Sequence, residues 1–200
     1  MAIFVVANSG LALAAGNSCP DPDDLSTGIR AEYSDGGVVD VRSAGGGAVE
    51  LFEPDAGTGP DGLLFHSLHG LYDTRVAYAA AGTEDPDRSL VYDYSVDPAE
   101  LPVPEQGESW LGGVTTTWPD GSKDYETAVY VFGRADRRKI GDCDYAAIPV
   151  KASFMDGDDW VAQDFIYFSD LGFAIATGIQ SADDESPLWR AVVSLSPLGR

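Results

Sequence analysis

Positive charge is scarce in this sequence. Its 200 residues include 12 Lys and Arg against 33 Asp and Glu, which gives a formal net charge of −21 at pH 7. The lysines are Lys123, Lys139 and Lys151. A field of this sign repels phosphate backbones and anionic lipid surfaces. The charge therefore disfavours nucleic acid as a partner.

A membrane-spanning run is also missing, because about 20 consecutive apolar residues are needed to cross a bilayer. Residues 2–16 are apolar and uncharged but shorter. They have the character of a secretory signal peptide, with Ala12-Leu13-Ala14 as an A-x-A cleavage site. We therefore expect residues 1–16 to be a signal peptide, the mature protein to be periplasmic or secreted, and the chain not to be an integral membrane protein. A buried N-terminal strand or helix is the alternative, since no basic residue precedes Arg30.

Cysteine is limited to Cys19 and Cys143. Two thiols in an exported chain usually pair, so we expect a disulfide between them. Lipidation of Cys19 is one alternative, but Asn17 fits poorly the small-residue stretch that precedes a lipidated cysteine. A catalytic thiol is another, but no histidine lies near either cysteine in the sequence.

Long amphipathic helical patterns are absent as well. Apolar and polar residues instead alternate in short runs, such as residues 29–33 and 48–52, which Gly, Asp and Pro interrupt. Such runs are typical of strands joined by tight turns. About ten of them follow one another, which predicts a single all-β domain over residues 17–200, built as an antiparallel half-open barrel or a two-sheet sandwich.

The hairpin from Tyr145 to Phe168 is predicted to be the centre of this fold. Residues 156–159 (DGDD) have the composition of its turn. Its two strands carry the densest set of bulky apolar side chains in the chain: Tyr145, Ile148, Val150, Phe154, Trp160, Phe165, Ile166 and Phe168.

Two short motifs near this hairpin suggest a family. Residues 140–145 (IGDCDY) begin a predicted strand, and residues 167–172 (YFSDLG) follow about one hairpin later. Together they resemble the "GxCxY" strand and "YxPxLG" turn of uncharacterised exported alphaproteobacterial proteins, in the half-open barrel style of the DUF3108 and LolA-like envelope proteins. Ser169 stands where that turn has proline. The resemblance implies a periplasmic antiparallel sheet curved around a concave face, which in LolA-like proteins holds acyl chains.

The two histidines are candidates for a metal site. His66 and His69 are three residues apart, and Asp73 lies four residues further on. On one helical turn the two imidazoles would point the same way, but zinc needs three or four ligands in fixed geometry. The H-E-x-x-H spacing of metalloproteases is missing. Histidines that belong to a loop or strand are the main alternative.

No catalytic motif stands out elsewhere. The sequence has no G-x-S-x-G elbow, P-loop or dinucleotide-binding glycine pattern, and we expect no cofactor. Acidic residues crowd two turns, at 156–159 and 183–185, but neither follows a calcium-loop pattern. We therefore assign no catalytic residues.

Aromatic residues supply the remaining candidates. Tyr92, Tyr94, Trp160 and Tyr167 lie among small residues on predicted strands. They are interpreted as core packing or as the wall of a site for an apolar ligand. The leading hypothesis is a non-enzymatic exported protein, either an envelope component or a carrier of an apolar small molecule or lipid. The alternative is a secreted hydrolase that uses carboxylates or a metal at His66 and His69.

Overall fold

The computed structural model describes residues 19–55 and 60–199, and the strands in these ranges form one 14-stranded antiparallel sheet. The predicted signal peptide, residues 1–16, lies outside the described residues. The strands are β1 Ile29–Tyr33, β2 Val38–Gly45, β3 Ala48–Pro54, β4 Gly62–Leu68, β5 Tyr72–Ala80, β6 Thr83–Tyr94, β7 Ser109–Thr117, β8 Lys123–Phe132, β9 Asp136–Ile140, β10 Cys143–Asp156, β11 Asp159–Phe168, β12 Phe173–Ser181, β13 Leu188–Trp189 and β14 Val192–Pro197. Two short 3-10 helices span Pro22–Ser26 and Pro98–Glu100. The all-β, half-open fold is confirmed.

The expected number of about ten strands is too low. Among the additional strands, β4 is an almost continuous apolar run and β7 contains the pair Gly112 and Gly113, so neither alternates clearly. Strand β9 is largely charged, and it is extended because its backbone pairs with the start of β10, with Arg138 opposite Tyr145. These segments are strands because they pair with neighbouring strands, and their local sequence pattern does not predict it.

The sheet rolls up until its two edges almost meet. Its order is β13-β12-β11-β10-β8-β7-β6-β5-β4-β3-β2-β1-β14, with β9 added beside β10. One edge is β13 and the other is β14, yet only Arg190 and Ala191 separate these strands in sequence. The Arg190 amide donates to Thr177 of β12, and the Ala191 amide donates to Ser34 beyond β1. We call this crossing segment, residues 189–192, the seam.

Strands β10 to β12 are buried on both faces. In β10 the neighbouring residues Ala147 and Ile148 are both buried, and in β11 Tyr167 and Phe168 are both buried. Because successive side chains of a strand point to opposite faces, each pair contributes to two different cores. Ala147 and Phe168 join the core formed with β1–β3 and β14, whereas Ile148 and Tyr167 join the core formed with β5, β7 and β8.

Strands β10 and β11 form the predicted hairpin. Strand β10 pairs with β8, β9 and β11. Trp160 is the exception to the predicted core set. It lies one residue beyond the turn, opposite Met155, and 37% of its surface is exposed. Strand ends beside a tight turn project past the layers that cover the middle of the sheet, so this tryptophan is not a core residue.

The predicted disulfide is present. Cys19 and Cys143 are bonded, with their Cα atoms 5.6 Å apart and a sequence separation of 124. The bond fastens the segment before β1 to the first residue of β10, and Cys143 is itself part of the first core.

Candidate functional site

A groove opens beside the seam, where residues of β9 and residues 189–192 lie next to residues of β8, β10 and β11. Its volume is about 620 Å³. We call it the seam groove. Apolar side chains form much of its wall: Val131, Pro149, Phe165, Ile166, Trp189 and Val192.

Among the described residues, four positively charged side chains and one acidic side chain, that of Asp164, line the seam groove. Strand β9 supplies Arg138 and Lys139, β10 supplies Lys151, and the seam supplies Arg190. Lys151 reaches this face because it alternates with the buried residues Val150 and Ala152. In a chain with 12 Lys and Arg in total, this is a marked concentration of positive charge.

The four cations differ in how far they are neutralised. Arg190 pairs with Glu53 through two hydrogen bonds, and its guanidinium lies 3.9 Å from the centre of the Tyr33 ring. Arg138 pairs with Asp136 at 3.2 Å, and the Lys151 amine is 4.0 Å from Asp164. Lys139 forms no ion pair with any residue in 19–55 or 60–199.

A smaller cavity lies on the other face of the sheet, inside the curve of β5 to β11. Its volume is about 170 Å³. We call it the tyrosine chamber. Its wall consists of Leu71, Asp73, Tyr92, Tyr94, Glu126, Tyr130, Phe154, Val161 and Gln163.

Interlocked rings hold the wall of the tyrosine chamber in place. The ring of Tyr130 lies 4.6 Å from that of Tyr72 and 5.9 Å from that of Phe154, and Trp110 contacts both Tyr94 and Tyr130. The Tyr130 hydroxyl donates to the Leu71 carbonyl oxygen at 3.2 Å, and the Tyr94 hydroxyl is 3.4 Å from that of Tyr130. Rings packed edge to face and hydrogen-bonded in this way are preorganised.

Asp73 is the most perturbed acid of the chamber. Burial raises its pKa from 3.8 to about 7, while the neighbouring Ser67 side chain acts in the opposite direction. Its side chain retains some accessible surface because it faces the cavity. The pKa of Glu126 is also raised, first by burial and then by the charge of Asp124. Removal from water disfavours the ionised form of both carboxyls.

The tyrosines beside these carboxyls respond to the same environment. Burial raises the pKa of Tyr92 to about 12, and the negative charges of Asp73 and Glu126 add to the effect. Burial also raises the pKa values of Tyr94 and Tyr130, with Asp73 contributing to both. These phenols are therefore neutral at any physiological pH.

The structure brings only part of the predicted ligand wall together. Tyr92 and Tyr94 both line the tyrosine chamber. Trp160 lines a neighbouring cavity of about 220 Å³, which shares Glu126, Phe154 and Val161 with the chamber. Tyr167 is buried in the second core and contacts the edge of the His69 ring at 6.4 Å between ring centres.

The structure does not assemble His66, His69 and Asp73 into a metal site. His66 is in strand β4 and bonds Glu84 of β6 at 2.8 Å, while Asp73 faces the tyrosine chamber. His69 sits in the β4–β5 turn at φ 56°, and burial lowers its pKa. Within residues 19–55 and 60–199, no group of three or more His, Cys, Asp or Glu side chains is placed to hold a metal ion.

Sequence reasoning missed the polar half of both cavities. The sequence does not mark Glu126 or Gln163 as a cavity residue, because each is one polar residue within an alternating strand. Lys139 and Lys151 were visible as rare cations, but only the pairing of β9 with β10 brings them to one groove. Arg190 meets Glu53 across 137 residues, which no local pattern indicates.

No family model and no curated protein matches the chain. Among solved structures, it is similar to the hypothetical lipoprotein YmcC from Escherichia coli (K12), with 8% sequence identity and a TM-score of 0.44. The match covers 84% of this chain and 87% of that protein. In residues 19–55 and 60–199, no helix has the length and apolar character needed to cross a membrane.

Proposed function

We propose that this chain is a non-enzymatic, exported binding protein that holds an amphiphilic ligand in the seam groove. The ligand would have an apolar body and an anionic head group. The observation that carries the proposal is the concentration of cations beside an apolar wall in a strongly acidic chain.

The size and chemistry of the seam groove support a ligand of this class. Its volume of about 620 Å³ lies inside the range of roughly 300–1,000 Å³ usual for small-molecule sites. Apolar walls with a few charged groups at fixed positions favour a molecule that is itself part apolar and part charged. Lys139, which has no ion-pair partner in the described ranges, is the cation best placed to receive an anion.

The disulfide supports export. Bonds of this kind form and persist in oxidising compartments such as the bacterial periplasm, and they are rare in the cytosol. Cys19–Cys143 is the pair formed by both cysteines of the chain. A periplasmic or secreted location, reached by means of residues 1–16, is therefore part of the proposal.

Binding of dodecanoate and dodecanol, each below its aggregation concentration, tests the head-group requirement. Both have the same apolar chain, but only dodecanoate is charged. We expect dodecanoate to bind at least tenfold more tightly in isothermal titration calorimetry. Equal binding of the two, or no binding of either, would contradict the proposal.

Two groove variants locate the site. Lys139→Ala and Lys151→Ala should each weaken dodecanoate binding several-fold. Lys123→Ala is the matched control, because Lys123 is an exposed lysine at the start of β8 and does not line the groove. Equal weakening by all three variants would show a general charge effect rather than a site.

The hydrolase alternative has one observation in its favour. Asp73 and Glu126, both with raised pKa values, line one aromatic cavity. The cavity volume of about 170 Å³ is below the usual range for ligand sites, which disfavours a sugar chain as substrate. The test is hydrolysis of a panel of nitrophenyl glycosides by the wild type and by Glu126→Gln. Activity that is present in the wild type and lost in the variant would establish the hydrolase and contradict the proposal of a non-enzymatic carrier.

A further inference from the structure

The tyrosine chamber contains acids but no base. Two carboxyl groups, Asp73 and Glu126, line it together with three tyrosines and Phe154. No Lys, Arg or His belongs to its wall, as far as residues 19–55 and 60–199 define it. A buried carboxylate without a cation loses much of its solvation, which is costly unless an opposite charge replaces the water.

Asp73 has no cationic partner in the described ranges. The hydroxyl of Ser67 lies opposite it on β4 and is itself buried without a hydrogen-bond partner in these ranges. Arg190 lines a smaller cavity of about 70 Å³ that also includes Asp73, but it is committed to Glu53 and to the ring of Tyr33. The carboxyl of Asp73 therefore remains available to a charge that enters the chamber.

The other walls of the chamber suit a cation as well. Tyr92 and Tyr94 come from β6, Tyr130 from β8 and Phe154 from β10. Aromatic rings attract cations through their quadrupoles, and cages of such rings are a common means of recognising quaternary ammonium groups. A volume of about 170 Å³ matches a compact ligand, since one water in the liquid occupies about 30 Å³.

From this geometry we propose that the tyrosine chamber binds a small organic cation of the alkylammonium or quaternary ammonium class. Asp73 and Glu126 supply the opposite charge, and the rings of Tyr92, Tyr94, Tyr130 and Phe154 surround the apolar part of the cation. This site is separate from the seam groove and does not depend on it.

Choline and 3,3-dimethyl-1-butanol provide the direct test, because they have nearly the same shape and only choline is charged. Their binding to the whole mature protein is measured by isothermal titration calorimetry at pH 8. We expect choline to bind at least tenfold more tightly than the neutral alcohol. Equal affinity for the two compounds would overturn the proposal. So would the absence of choline binding when choline is in 10-fold molar excess over protein at millimolar concentration.

Asp73→Asn is the principal variant, and Asp93→Asn is its control. Both remove one negative charge, but Asp93 is an exposed residue of β6 that does not line the chamber. We expect Asp73→Asn to weaken choline binding at least tenfold and Asp93→Asn to change it less than twofold. Equal effects would show that choline is only a counter-ion to the acidic surface, and would overturn the proposal.

Tyr92→Leu keeps the proposal testable if Asp73→Asn does not fold. Tyr92 lines the chamber but belongs to none of the ring pairs that hold its wall. Its replacement should weaken choline binding several-fold through loss of the cation–π contact. Unchanged affinity in this variant would overturn the aromatic part of the site.

The pH dependence gives a readout that a merely structural role would not change. Because the pKa of Asp73 is about 7, its ionised fraction rises roughly tenfold from pH 6 to pH 8. Choline affinity should rise by at least this factor, because Glu126, whose pKa is also raised, ionises in the same direction. Tyr92, Tyr94 and Tyr130 are neutral throughout, and Gln163 does not titrate. A flat profile in the wild-type protein would overturn the role of Asp73.

Discussion

Arg190 of the seam and Glu53 of β3 are paired side chain to side chain across 137 residues of sequence. Both guanidinium nitrogens Nη1 and Nη2 donate to the carboxylate, and the guanidinium also lies 3.9 Å from the centre of the Tyr33 ring in β1. The backbone of the same residue bonds Thr177 of β12. One residue thus links both sides of the almost closed sheet.

Breaking this pair should destabilise the fold. A hydrogen bond to a charged group contributes about 1.5–3 kcal/mol, and both side chains are more than two-thirds buried. We expect Arg190→Met to lower the free energy of unfolding by an amount in this range, measured by urea denaturation. A double-mutant cycle with Glu53→Gln isolates the pair, and a coupling energy of zero would contradict the role assigned to it.

Loss of the disulfide should destabilise the protein strongly. The bond closes a loop with a sequence separation of 124 residues, for which the chain-entropy model gives about 4–5 kcal/mol. We expect the double variant Cys19→Ala with Cys143→Ala to unfold at a clearly lower urea concentration than the oxidised protein. The reduced wild type is the control, and it should unfold at a similar concentration to the double variant.

Truncation of Phe168 should destabilise the protein much more than truncation of Trp160. Phe168 is fully buried between the rings of Tyr145 and Phe173, so Phe168→Ala should cost about 3–5 kcal/mol. Trp160 is 37% exposed at the end of its hairpin, so Trp160→Ala should cost about 1 kcal/mol or less. Thermal and urea denaturation of the two variants measures the difference. A larger loss for Trp160 would show that the hairpin end is part of the core.

Asp73 should make stability fall as the pH rises. Its pKa is about 7 in the folded protein against 3.8 for the unperturbed group, so the folded state holds the proton more tightly. Stability that depends on this proton is present in full below pH 4 and is lost as the pH rises to about 7. Each tenfold difference in proton affinity corresponds to about 1.4 kcal/mol.

The variant Asp73→Asn tests this directly. Asparagine does not ionise, so the variant should be more stable than the wild type at pH 8, and the two should converge towards pH 4. Asp93→Asn serves as the control and should follow the wild-type profile. Denaturation curves in urea at several pH values give the comparison, and parallel profiles for wild type and Asp73→Asn would contradict the assigned pKa.

The local sequence pattern is sufficient to predict several features of this protein. Alternation along residues 29–33 and the glycine of the turn at 156–159 predicted strands and the central hairpin, because strand side chains alternate with a period of two. The disulfide could be predicted because a chain with two cysteines allows a single intramolecular pairing. Tyr92 and Tyr94 were predicted to share a ligand wall, and they lie two residues apart on one face of β6.

Only the tertiary structure determines which strands pair and which side chains meet in a cavity. A charged segment such as Asp136–Ile140 is a strand only because β10 offers it a partner, and its cations meet Lys151 and Arg190 only when the sheet has rolled up. Asp73 was assigned to a metal site because of its spacing from His69, but the direction of its side chain depends on the irregular β4–β5 pairing. Trp160 has the composition of a core residue, but its exposure depends on where the covering strands end. Sequence period determines which face a side chain takes, whereas the partner strand and the curvature of the sheet determine whether that face is a core, a cavity or solvent.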